Sequence, residues 1–352
     1  MTSRNAQEKS MSTKQSRRTA WSAALALMLA TLLAWPLSHA QAPIVVKFSH
    51  VTTADTPMGR AVERFRELAE KSTNGRVKVE IYPNSTLYKD KEELEALQLG
   101  AVQMLAPALA KFSMLGVREF EAFDIPYMFP SRNVLLRVTD GPIGKKMLRK
   151  LEPKGITGLA FWDNGFKVMT ANKPLRTPAD FHGLKMHIHA SKVLEVQFRT
   201  LGAIPQVIGF SDTYQALKSD VLNGAENTPS NIYFQKTHEV QKNLTVSEHG
   251  YLGYAVIANK KFWDSLPGDI RGQLEGAIKE STRYMNAIAE ADNTQALENI
   301  RKSGQTRIHV LTDNERAQWR RALLPVRASV EARVGRDVLQ AIDKEAAALG
   351  VK

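Results

Sequence analysis

Lys167, His187 and Asn227 stand at the ends of short apolar runs in this sequence. In an α/β sheet the strand ends converge at one edge, and a ligand settles in the crevice there. Residues 162–231 carry the pattern: Trp162-Asp163-Asn164-Gly165-Phe166-Lys167, then Gly183-Leu184-Lys185-Met186-His187-Ile188, then Asn223-Gly224-Ala225-Glu226-Asn227. An ammonium and a side-chain amide can hold a carboxylate through charge and hydrogen bonds. No Ser-His-Asp set, phosphate loop or metal-spaced cluster accompanies them along the chain, so the predicted chemistry is to hold a small anion and leave it unchanged. His182, His187 and His189 raise the question of a metal. Residues 187 and 189 would share one face of a strand, but no acid or cysteine within it completes the set, so neither metal nor cofactor is expected.

Composition narrows the partners. The chain has 352 residues, 43% of them apolar and 24% charged, ordinary values for one large or two smaller folded domains. Arg17 and Arg18 precede an apolar run over 21–37, and Ser38-His39-Ala40 forms a small-x-small cleavage site. That is a Sec-type signal peptide, too short for a membrane span, with cleavage expected after Ala40 and a periplasmic destination. Ser16-Arg17-Arg18 matches a twin-arginine signal poorly, and Met11 serves as well as Met1 for a start. The formal charge is +12; without Arg4, Lys9, Lys14, Arg17, Arg18 and Glu8 of the signal, +8 remains. Lys and Arg are scattered with no arginine-rich or aromatic-interleaved run, which disfavours nucleic acid and leaves small anions. Zero cysteines remove disulfides, thiol catalysis and thiolate metal sites together.

The elements that must position these residues follow from periodicity. Residues 44–49 predict a first strand, ending on His50. Met58, Ala61, Val62, Phe65, Leu68 and Ala69 form one helical stripe, and Val77, Val79 and Ile81 alternate as a strand, completing a βαβ unit. Asp90 with Glu93 reads as a capping box for the next helix, and Ser211 as the cap of the helix carrying Tyr214 and Leu217. Residues 120–129, rich in aromatics, predict a packed connector. Strands are expected over 156–162, 184–188, 204–207, 253–258 and 306–310. From Asp269 to about Ser303 the helical pattern hardly breaks, which predicts either one helix lying across both domains or two with a kink.

The mature chain, almost end to end, resembles the DctP-type solute-binding proteins of tripartite ATP-independent periplasmic (TRAP) transporters. The resemblance is carried by Phe48-Ser49-His50, by 93–102, by Asn164-Gly165-Phe166-Lys167, and by Lys173-Pro174-Leu175-Arg176-Thr177-Pro178-Ala179-Asp180. Gly183-Leu184-Lys185-Met186, the stretch 210–217, Asn223-Gly224-Ala225-Glu226-Asn227, Glu239-Val240-Gln241-Lys242 and 249–254 complete it, in order. The resemblance implies a two-domain α/β periplasmic-binding-protein architecture with a long helix bridging both domains. Domain I is placed at 41–164 and 253–292, domain II at 165–252 and 293–352. It also implies a monomer that delivers a small organic acid to the small and large membrane subunits of a TRAP permease. The acid is a four-carbon dicarboxylate or a related hydroxy, keto or sugar acid.

Position by position, the resemblance implies ligand contacts from His50, Lys167, His187, Phe210, Glu226, Asn227 and Tyr251, with Trp162 as a further wall. His187 departs from the family, which usually has arginine there. Arginine grips a carboxylate with a planar fork; a histidine, mostly neutral near pH 7, has none. Plainer readings stand beside these: Lys167 as a solvated strand end, His187 as a half-buried structural residue, Phe210 as core, and Glu226 paired with a neighbouring cation. A periplasmic enzyme acting on an organic acid and a receptor serving a sensor are the rival functions.

Overall fold

The computed structural model describes residues 42–350, so the signal-peptide reading lies outside the described residues. Two sheets organise the chain. The first has the order β2-β1-β3-β10-β4, from Ile44–Ser49 (β1), Val77–Tyr82 (β2), Met104–Leu105 (β3), Ile156–Phe166 (β4) and Tyr251–Asn259 (β10). The second has the order β11-β9-β5-β8-β6-β7, from Val168–Ala171 (β5), Lys185–Ile188 (β6), Ile204–Val207 (β7), Gly224–Asn227 (β8), Asn243–Val246 (β9) and Arg307–Val310 (β11). This is a two-lobed α/β fold, as expected.

Helix α1 (Pro57–Ser72) starts where Thr56 accepts the amide of Gly59, with proline at its first position. It connects β1 to β2, which run parallel with Ile44 opposite Val77. Val46, Phe48, Val62, Phe65 and Trp162 fill one face of the first sheet, against α1 and the long helix. The short helices α2 (Glu93–Gln98), α3 (Arg132–Asp140) and α4 (Pro142–Arg149) complete the first lobe; α5 (Lys192–Thr200), α6 (Thr213–Lys218) and α7 (Pro229–Phe234) belong to the second. After α8 (Lys260–Ser265), α9 runs unbroken over Gly268–Ser303 and ends at Gly304, whose φ of 68° closes the last turn. At 1.5 Å per residue it is about 54 Å long, enough to cross both lobes. Ile270, Leu274 and Ile278 pack into the first-lobe core and Ile300 into the second. The single-helix alternative holds.

A second brace was not anticipated. The sequence predicts helix to the end, but Gly335 divides it into α10 (Asp313–Val334) and α11 (Arg336–Ala348). Trp319 of α10 meets Phe181 of the second lobe edge-on, while Leu339 and Ile342 of α11 join an apolar core continuous with the Phe120, Phe123 and Phe129 connector. Two expected caps also differ. Helix α2 has no side-chain cap: Asp90 accepts the amide of Phe210 at 2.6 Å, and the Glu93 carboxylate turns inward to Lys111. Ser211 does not cap α6 either; its hydroxyl is buried without a partner. At Asp90 and Glu93 tertiary contacts replaced the local bond that spacing suggests; at Ser211 no bond took its place.

Candidate ligand-binding cleft

β4 of the first sheet hands over to β5 of the second through a single residue, Lys167. Gly165 just before it has φ of 114°, and a Cβ there would lie 2.6 Å from Nδ2 of Asn293 on α9, so the crossing demands glycine. Asn293 donates to the Asn164 carbonyl at 2.7 Å and accepts the Ser230 amide at 3.0 Å, which ties the crossing to the long helix.

Lys167 is 1% exposed and its Nζ donates to Oε1 of Glu226 at 2.6 Å. The other Glu226 oxygen accepts from Nε2 of His249 at 2.7 Å and from the Gln197 amide at 3.3 Å. Burial alone would raise the Glu226 carboxyl, but Lys167 and His249 outweigh it and hold it well below the usual carboxylate range. Burial lowers His249, so its ring is neutral at pH 7. Both Glu226 oxygens are thus occupied by protein, and the plainer reading, pairing with a neighbouring cation, describes it. Asn227 accepts the Thr228 amide and the Asn231 amide on Oδ1, both at 2.9 Å, which leaves its NH2 group as the free end. Gly250 makes room for the lysine: a Cβ there would sit 2.9 Å from Lys167 Cε.

His249 also meets Ser247, whose hydroxyl lies 2.8 Å from Nδ1. The ring donates through Nε2 to the carboxylate, so Nδ1 accepts from the hydroxyl. Ser247, His249 and Glu226 therefore form the serine–histidine–acid order that linear spacing did not reveal. The hydroxyl is nevertheless 0% exposed. A nucleophile must reach a substrate carbonyl, and this one is sealed in the lobe.

His187 is buried, and its Nε2 lies 2.9 Å from the Ile208 carbonyl. A carbonyl only accepts, so Nε2 carries the proton and Nδ1 is left as an acceptor. His189, half-buried two residues on, packs edge-to-face on it with ring centres 5.5 Å apart. Burial keeps both rings below their ordinary value, His189 at about 3, with His187 adding to the effect on its neighbour. Neither is a cation at pH 7. His50 closes β1, its Nδ1 3.2 Å from the Thr52 hydroxyl, its Nε2 buried without a partner, its pKa lowered to about 4 by burial.

The first lobe contributes an ion-pair cluster absent from the sequence reading. Lys111 pairs with both Asp90 and Glu93, all three largely buried. Asp90 also reaches the Phe210 amide in the second lobe; Lys89 pairs with Asp212 at 3.3 Å, and Asn231 donates to the Tyr254 hydroxyl at 3.1 Å. These contacts hold the two lobes together over the cleft. Phe210 is buried beneath them, its carbonyl accepting from Gln235. Asp124, from the connector, lies near Lys167; burial pushes its carboxyl up to about 7, although Lys167 and the Ser191 hydroxyl pull it down.

Two expected contacts are elsewhere. Tyr251 stacks among Phe123, Phe129 and Phe166, its hydroxyl bonded to Asp163. Trp162 lies in the first-lobe core against Phe48, its Nε1 donating to Thr282. The two rings lie in separate cores, Tyr251 with the aromatic connector and Trp162 with α1 and the long helix. Asp90, Lys111, Asn231 and Tyr254 were missed because the pairs they make, Lys111 with Asp90 and Glu93 and Asn231 with Tyr254, join residues 18 or more apart in sequence.

Two sheets joined at a crossing strand, braced by a bridging helix and with buried polar side chains of both lobes meeting at the junction, have the architecture of a two-lobed solute-binding protein. The chain belongs to the bacterial extracellular solute-binding protein family 7, DctP, whose profile matches residues 48–333. It is 58% identical over 319 residues to the C4-dicarboxylate-binding periplasmic protein DctP of Rhodobacter capsulatus, covering 90% of this chain and 96% of that one. A TRAP periplasmic solute-binding protein from Shewanella oneidensis, solved with bound succinate, superposes with a TM-score of 0.85 at 39% identity, over 86% of this chain and 99% of the other. A sugar acid binding protein from Advenella mimigardefordensis, in complex with galactonate, gives 0.84 at 29% identity, over 87% and 98%.

Proposed function

We propose that this protein captures a small organic acid in the periplasm and delivers it, chemically unchanged, to the small and large membrane subunits of a TRAP permease. One observation carries the reading: a wholly buried lysine, fixed by its own glutamate, at the junction of two lobes that polar contacts hold together, with Asn227 next along the strand from that glutamate. Lys167 and Asn227 take the carboxylate, Phe210 closes over it, and His50 and His187 face the remainder. Glu226 orients the ammonium. The lobes, 41–164 with 253–292 and 165–252 with 293–352, open and close about residues 164–167. The names of the relatives support the acid, since the Rhodobacter protein is described as binding C4-dicarboxylates and the two structures hold succinate and galactonate.

The protein performs no reaction on its ligand. The sealed Ser247 hydroxyl supports this, because the one serine–histidine–acid arrangement described above cannot meet a substrate. The signal peptide is removed after Ala40, which mass spectrometry of the exported protein tests directly. For the function itself, thermal unfolding is followed against a panel of organic acids. A binder is stabilised in proportion to the logarithm of ligand concentration over dissociation constant. Stabilisation by at least one acid, recovered intact afterwards, is the expected result; no shift across the panel removes the reading.

A further inference from the structure

We propose that His189 is a specificity-determining residue of the cleft, and that it selects a singly charged hydroxy acid, with the ligand hydroxyl at the His187–His189 end and its carboxylate at the Lys167–Asn227 end. This rests on the organic-acid reading above and narrows it. The charged groups near enough to act on the two rings are Asp90 and Lys111 from the first lobe and Glu226 and Lys167 from the second. Each of those cations is already matched by carboxylate: Lys167 by Glu226, Lys111 by Asp90 and Glu93 together. One ligand carboxylate can share the remaining N–H groups of Lys167 with the Asn227 amide. A second would meet neutral imidazole.

The tautomers make that meeting unfavourable. His187 gives its proton to the Ile208 carbonyl, so its other nitrogen offers only a lone pair. A carboxylate is also acceptor-only and is repelled by it, whereas a hydroxyl can donate. His189 supplies the complementary atom. Its Nε2 is shielded from solvent and has no partner in the protein, a buried polar atom that a ligand hydroxyl would satisfy. His187, held by Ile208, is a positioning residue that packs edge-on against the His189 ring. Arginine at 187 would reverse the preference by adding an uncompensated, forked cation.

The test is calorimetric titration of the exported protein at pH 8 with three probes: succinate, 4-hydroxybutyrate and galactonate. 4-Hydroxybutyrate matches succinate in chain length but ends in a hydroxyl. At least one hydroxy acid is expected to bind tenfold or more tightly than succinate. His189→Phe, which keeps an aromatic ring, should lower that affinity tenfold or more while changing succinate less than twofold. His189→Gln, which retains a donor and an acceptor, should recover most of it, and His187→Arg should bring succinate ahead. Succinate binding more tightly than both hydroxy acids to the wild type overturns the inference and leaves the organic-acid reading intact. So does an equal loss for all probes in His189→Phe with no rescue by His189→Gln. Binding of no organic acid at all removes the underlying reading and the inference with it.

Discussion

Lys111 and Lys167 are both buried at the cleft, one from each side, and their surroundings differ in a way that separates latch from platform. Lys111 has two carboxylates, and one of these, Asp90, reaches across to the other lobe. Lys167 has one, Glu226, which is further held within its own lobe by His249 and Gln197. An excess of acceptor on one side can link lobes; a rigid one-to-one pair presents a fixed donor. Burying a charge is tolerable only where a partner and further hydrogen bonds compensate it, so each cluster should fail differently when a member is removed.

The largest effect is expected from Glu226→Ala, which strands Lys167 and leaves the His249 donor unmatched. A loss of about 3–5 kcal/mol in urea unfolding is expected, as for other buried pairs broken on one side. Glu93→Ala should lose less than half as much, because Asp90 still pairs Lys111. Equal losses would break the distinction between the clusters.

Asp124 gives the next effect, through pH. Its folded carboxyl titrates at about 7 against an ordinary value of 3.8. Between those values the native state holds a proton that the unfolded chain releases, so stability falls as pH rises through about 4 to 7. The difference is on the order of 4 kcal/mol and fully developed above 7. Glu226 runs the other way: its depressed value stabilises above the ordinary carboxylate range and is lost as pH falls through the folded value. Asp124→Asn should remove only the first slope, read from unfolding curves at several pH values.

Asp90→Ala removes the acceptor of the Phe210 amide, a bond to a charged group worth about 1.5–3 kcal/mol. The closed form should lose population, and small-angle scattering of ligand-free protein should show a larger radius of gyration. An unchanged profile would deny Asp90 its latch role. Gly250→Ala pushes a methyl against Lys167 Cε and should cost toward the low end of ~1–3 kcal/mol, while weakening acid binding by displacing the ammonium. Lys89→Ala should be nearly silent, since Lys89 and Asp212 are both exposed and such pairs contribute less than about 1 kcal/mol.

Much of the frame was legible in the chain. Periodicity located β1, α1, β2 and the unbroken α9 because each buries its own apolar face regardless of what lies opposite. Capping by near neighbours does occur in this chain, as where Thr56 caps α1 and Asp180 completes a capping box with Thr177. The same reasoning failed at Asp90 and Ser211, where the side chain faces the other lobe or the interior. Tyr251 failed for a related reason. Its place next to Gly250 along the chain does not fix where its ring goes, which is into the aromatic connector against Phe123 and Phe129.

By itself the sequence determined an α/β alternation, a long helical stretch over 269–303, and which strand ends carry Lys167, His187 and Asn227. These follow from local propensity and periodicity, which act over a few residues. Tertiary structure alone decided which buried charges are free. That Glu226 is already bound to Lys167, that Ser247 and His249 line up in a sealed pocket, and that His187 has its proton fixed by Ile208 depend on chain segments up to 59 residues apart. Electrostatics in a dry interior is set by distance in space, and spacing along a chain does not encode it.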